Sequence, residues 1–156
     1  DRDFLIKQLD YEVKRAKRYN RTIGLAILGV DDIDAFQTRY GPQVSVQLLA
    51  WVTERLESIC RDADILCQLG NGDYAIIMPE ADTEGAQFAS KRLRRDIANY
   101  GGGARPAQAL SVSVGIAVVL ECKSNVARPL LAIAEQCLRK AKESGPSGSL
   151  VIEARL

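Results

Sequence analysis

Four stretches of this 156-residue chain gather side chains able to do chemistry. Asp31, Asp32 and Asp34 place three acids within four residues, directly after an apolar run. Gly70-Asn71-Gly72-Asp73 sets an acid beside glycines, between two further apolar runs. Glycine at a turn lets backbone approach a ligand closely, and neighbouring carboxylates offer oxygen ligands to a cation such as magnesium. Arg61-Asp62-Ala63-Asp64 pairs an arginine with an acid three residues on, and Lys91, Arg92, Arg94 and Arg95 crowd a later segment. Arginine can make two parallel hydrogen bonds to one acceptor group or neutralise a phosphate.

Composition narrows these options. There is no histidine, which removes the commonest general base and the commonest zinc ligand. Cys60, Cys67, Cys122 and Cys137 form no CxxC pair, so a zinc site is not indicated. Reduced cysteines in a cytoplasmic setting are the expectation for a domain of this size. A net charge of +1 gives no global field toward nucleic acid or membrane, so no DNA partner is expected. No signal peptide or membrane-length apolar run is visible, so no direct membrane insertion is expected. The length suits one domain with a substantial core. The chain opens directly on a helical pattern, as a fragment of a longer multidomain protein would.

The elements that must carry these residues follow from periodicity. Leu5, Leu9, Val13 and Ala16 recur at helical spacing and predict a helix over residues 3–19. Residues 22–30 are apolar on both alternating sets, as in a strand covered on both faces. Leu48, Leu49, Val52, Leu56 and Ile59 predict a helix over residues 44–60. Residues 63–69 and 74–79 read as a hairpin around Asn71-Gly72. A helix over 83–98 turns Ala86, Ala89, Leu93 and Ile97 inward. Residues 98–108 read as a flexible loop by composition. A strand over 110–119, a helix over 126–143 ended by Gly145-Pro146, and a short strand over 149–152 complete the chain. The order α-β-α-β-β-α-β-α-β implies an α/β (α+β) fold with a mixed sheet and helices on its faces.

Several segments in this order resemble the GGDEF family, the diguanylate cyclase domains of bacterial signalling. They are "RDFL" in the first helix, "DIDAF" after the first strand, "YG" before the second helix and "GNGDY" at the hairpin. "MP" ending the next strand, "SVSVGIA" and "AEQCLRKAKESG" complete the set. The resemblance covers essentially the whole chain. It implies a five-stranded central sheet surrounded by helices, related to the palm of nucleotide cyclases and polymerases. In that family two GTP molecules are condensed into cyclic di-GMP across a homodimer.

The resemblance also implies roles, and several are unfilled here. Gly70, Asn71, Gly72, Asp73 and Tyr74 occupy the five positions of the naming motif. The third should be an acid that helps hold the metal and activate the attacking hydroxyl; Gly72 has no side chain. The fourth should be glutamate, and Asp73 is one methylene shorter. In-line phosphoryl transfer tolerates misplacement poorly, with about an ångström costing on the order of 10²-fold. Asp32 matches the metal-binding aspartate, with the Ile33 carbonyl beside it. Gln37 replaces a phosphate-binding lysine, and the guanine-recognising asparagine falls in an apparent deletion before Gly41. Val46 replaces the guanine-recognising aspartate. Lys142 remains as a phosphate-binding candidate, while Pro146 stands where an arginine is expected. No catalytic residue is therefore assigned, and the metal positions Asp32 and Asp73 are expected to be vacant.

Each survivor has a plainer reading. Asp32 and Asp34 could cap a helix or be solvated, Asp73 could be a turn acid facing water, and Lys142 a solvated lysine at a helix end.

A second constellation is intact. Arg61 and Asp64 stand at the spacing of the family's RxxD inhibitory site, which binds cyclic di-GMP, and Arg92 falls at that site's further arginine. Arginine can pair with O6 and N7 of guanine, aspartate can accept from the guanine N1–H and amino group, and a second arginine can meet a phosphate. The alternative is a surface salt bridge worth roughly 0–1 kcal/mol.

The leading expectation is a degenerate domain acting as a cyclic di-GMP receptor or regulatory module. It would require no cofactor, with Mg²⁺ entering only alongside residual cyclase activity. A homodimer, crosslinked by ligand, and other domains of a full-length protein are the expected partners. The alternatives are a weak cyclase using Asp32, Asp73 and Lys142, and a nucleotide-independent dimerisation scaffold.

Overall fold

The structure, a computed structural model, describes residues 1–99 and 110–156. Most of the loop expected over 98–108 lies outside the described residues.

Helix α1 (Arg2–Tyr19) starts where the Asp1 carboxylate accepts from the Phe4 amide, satisfying an otherwise unpaired N–H. It ends at Asn20 in the left-handed conformation, φ 55°. Strand β1 (Ile23–Val30) is buried at every residue. Its alternation divides the core. Ala26, Leu28 and Val30 face one apolar cluster with Leu48, Val52, Leu56, Leu93 and Ile97. Ile23, Leu25 and Ile27 face another with Leu5, Leu9, Val13, Leu130 and Leu131. A strand covered on both faces cannot alternate polar and apolar, which explains its continuous apolar run.

Helix α2 (Ile33–Ile59) starts well before the expected residue 44. Two helical pieces meet at a kink where Gly41 takes φ 83° and ψ 169°, followed by Pro42. Glycine tolerates that backbone, and proline opens the second piece without losing an intrahelical bond. The break in apolar periodicity at the kink concealed the first piece.

Strands β2 (Ile65–Gly70) and β3 (Asp73–Pro79) form the hairpin. Asn71 and Gly72 both have positive φ, 50° and 82°, as a type I′ turn requires. Helix α3 (Thr83–Ala98) is capped by Asp82, which accepts from the Gly85 amide at 2.7 Å. Ser90, rather than Ala89, is its fully buried residue at that turn. The Ser90 hydroxyl lies 2.6 Å from that of Ser149, so burial leaves neither hydroxyl unpaired.

Strand β4 (Val112–Val119), helix α4 (Ala127–Glu143) and strand β5 (Ser149–Glu153) follow. The sheet order is β2-β3-β1-β4-β5. β1 is antiparallel to both β3 and β4, and β4 is parallel to β5, giving the expected mixed sheet. Gly115 is demanded by packing: a Cβ there would lie 2.2 Å from the Leu138 backbone nitrogen of α4. The thiols of Cys60, Cys67, Cys122 and Cys137 are free.

Candidate functional site

The hairpin tip lies against the C-terminal end of β1. Asp73 pairs across the ladder with Gly29. A Cβ on Gly29 would meet Asp73 Oδ1 at 2.5 Å and Lys142 Nζ at 3.2 Å. The carboxylate and the ammonium thus converge over a residue whose missing side chain makes room for them. Asp73 is half-buried, and burial pushes its carboxyl above the usual range while Lys142 pulls it partly back. The reading of Asp73 as a turn acid facing water is corrected by this burial. Lys142 is exposed, as its plainer reading had it.

The three neighbouring acids separate into different tasks. Asp31 accepts from the Ser111 and Ser113 hydroxyls and from the Ser147 amide, at 2.6 to 2.8 Å. It ties β1 to β4 and to the segment that follows α4. No periodicity signalled this role. Asp32 sits at the N-cap of α2, but its side chain makes no capping bond. Its left-handed backbone, φ 56°, departs from the extended conformation in which an N-cap side chain reaches the N2 or N3 amide. Of its two plainer readings, capping by Asp32 is therefore corrected, whereas solvation agrees with its exposed position. Asp34 accepts from the Asn71 side-chain amide nitrogen at 3.2 Å, and Gln37 Nε2 donates to Asn71 Oδ1 at 3.3 Å. The turn is thereby fastened to the first turn of α2.

Gly72 is buried against Val30, Ile33 and Leu49, each 3.4 to 3.6 Å from where a Cβ would stand. Tyr74 is an interior anchor, its hydroxyl 2.9 Å from Thr53 Oγ1 and 3.3 Å from the Leu49 carbonyl. Val46, by contrast, is 68% exposed. The donor set does not fit a dedicated magnesium cage. Magnesium demands near-octahedral oxygen ligands, and among the described residues no three acids, histidines or cysteines come together.

The second constellation converges. Arg61, Asp64 and Arg92 line one cleft of about 330 Å³ between the end of α2, the end of β3 and α3. Ile59, Ile76, Met78 and Leu93 supply its apolar wall. The Asp64 carboxylate accepts from the Arg61 amide at 2.9 Å and from Nη2 at 2.8 Å. Nη2 also donates to the Pro79 carbonyl at 3.0 Å. The salt bridge offered as an alternative thus exists, and it fixes the guanidinium at the cleft wall. Asp64 is the enclosed partner, its side chain 9% exposed. Arg92 is held loosely, its Nε 3.8 Å from Asp96. Cys60 lines the same cleft, and burial pushes its thiol up to about 11, with Asp64 and Glu57 adding to the shift.

A five-stranded mixed sheet with helices on its faces, the tethered hairpin at one edge and an arginine-lined cleft beside it define an α+β domain. The family model described as diguanylate cyclase, GGDEF domain, matches residues 1–147. The chain belongs to the GGDEF family. It is 27% identical over 134 residues to the probable diguanylate cyclase DgcC of Escherichia coli K12, covering 86% of this chain and 36% of that protein. This chain spans about a third of the length of such curated relatives. Its fold matches the active GGEEF domain of a diguanylate cyclase from Vibrio cholerae with a TM-score of 0.87, at 16% identity, over 98% of this chain and 97% of that one. The GGDEF domain of DgcB from Caulobacter crescentus, solved in complex with c-di-GMP, matches with a TM-score of 0.85 at 20% identity, covering 93% and 84%.

Proposed function

We propose that residues 1–156 form one degenerate GGDEF domain that binds cyclic di-GMP through Arg61, Asp64 and Arg92 and has lost cyclase activity. The observation that carries the reading is the meeting of Arg92, from α3, with Arg61 and Asp64 in one cleft. A fixed guanidinium at Arg61, an enclosed acid at Asp64 and a loosely held, exposed guanidinium at Arg92 match what a guanine edge and a phosphate need.

The cyclase half of the reading rests on chemistry removed. Gly72 offers no acid, and Asn71 is engaged by Asp34 and Gln37. Val46 presents no polar group to a base. A receptor of this kind needs no resident cofactor. It works in the cytoplasm beside other signalling domains, and ligand shared between two copies would join them. Among the described residues no helix is long and apolar enough to cross a membrane.

The test is calorimetric titration of the protein with cyclic di-GMP. Saturable binding is expected; none at all overturns the receptor reading. A second reading, a weak cyclase, draws on the convergence of Asp73 and Lys142 over Gly29. Incubation with GTP and magnesium, followed by nucleotide analysis, separates the two.

A further inference from the structure

Phe88 is out of keeping with the surface around it. It lies on α3, 66% exposed as a residue and outside both apolar clusters. Among the described residues its ring makes no contact with another ring or with a cation. Its place is nonetheless specific, because it lines the cleft that holds Arg61, Asp64 and Arg92. Arg92 follows it by one helical turn, about 6 Å along the axis, on the same face of α3. The adjoining lining residues, Gly85 and Ala89, are small and leave the ring uncovered.

We infer that Phe88 is the base-stacking platform of this cleft and carries the purine that the Arg61–Asp64 pair cannot enclose. The inference rests on the cyclic di-GMP reading above and adds a contact to it. The cleft volume of about 330 Å³ is at the low end for small-molecule sites, which run to about 1,000 Å³. A ligand with two bases and two phosphates must therefore extend past the rim, and Phe88 stands on that rim. Every base has a π-face, so an exposed aromatic ring holds a purine whichever edge is presented. Arg61 and Asp64 then read one guanine by its edge, Arg92 meets a phosphate, and Phe88 covers a base by its face.

The test is calorimetry with cyclic di-GMP on the wild type, Arg61→Ala, Phe88→Leu and Phe88→Trp. Leucine keeps apolar bulk without a π-face, and the position is exposed enough to spare the fold. Phe88→Leu is expected to weaken binding about tenfold. Phe88→Trp is expected to bind at least as tightly as wild type, with its added indole emission quenched at saturation. Equal affinity in wild type and Phe88→Leu, with binding weakened in Arg61→Ala, overturns the stacking contact and leaves the cleft assignment standing. No binding by the wild type overturns both.

Discussion

Arg61 and Asp64 are joined through backbone and side chain together: the Arg61 amide donates to Oδ2 at 2.9 Å and its Nη2 to Oδ1 at 2.8 Å. The Pro79 carbonyl takes a further bond from Nη2. Nη1 makes no hydrogen bond among the described residues. The guanidinium is therefore positioned before any ligand arrives, and less freedom is lost on binding.

Removing that arginine should act on affinity and stability together. Arg61→Ala is expected to weaken cyclic di-GMP binding about ten- to a hundredfold. It should also lower the melting temperature, because Asp64, nearly enclosed, loses its partner. Arg92→Ala should weaken binding with little change in melting, since Arg92 is 45% exposed and only loosely paired. Arg95→Ala, outside the cleft lining, should leave affinity nearly unchanged. Calorimetry and thermal melts on the same preparations check all three.

Restoring an acid at the motif should fail for a structural reason. Gly72 has φ 82°, a conformation costing a side chain about 1–3 kcal/mol, and a Cβ would enter an apolar surround of Val30, Ile33 and Leu49. Gly72→Glu is expected to melt earlier and to make no cyclic di-GMP from GTP and magnesium. Product formed at the rate of an intact cyclase would show that the hairpin re-forms an active site.

Asp73 gives a pH signature. Burial raises its folded carboxyl above the ordinary value of 3.8. The stability it contributes is complete below that value and is lost as pH rises through the raised folded value. Asp73→Asn should therefore raise the melting temperature at neutral pH, with the gain shrinking toward pH 4. A gain that grows on acidification would refute the burial argument.

Cys60 reports on the cleft. With its thiol pushed up to about 11, only roughly one molecule in a thousand is thiolate at pH 8. Alkylation at Cys60, followed by peptide mass spectrometry, should be slow at pH 8 and accelerate toward pH 11. Saturating cyclic di-GMP should slow it further, because Cys60 lines the same cleft. Unchanged alkylation with ligand bound would place the ligand elsewhere.

Local signals alone determined a good part of this molecule. The continuous apolar run of β1, the stripe of α1, the Asn71-Gly72 turn and the bounds of α3 were all legible. Each depends on the few residues beside it in the chain. The RxxD spacing marked Arg61 and Asp64, and the order of motifs pointed to Arg92 and to the family.

Tertiary structure decided the rest, because buried polar groups find partners without regard to distance along the chain. Ser90 could replace Ala89 in the interior only because Ser149 arrives from β5. Asp31 became a tie between three segments because Ser111, Ser113 and Ser147 converge on it. Asp73 became half-buried because the ladder sets it over a glycine beside Lys142. Periodicity records which face of an element is apolar, whereas hydrogen-bond satisfaction and charge placement are set only when the faces close on one another.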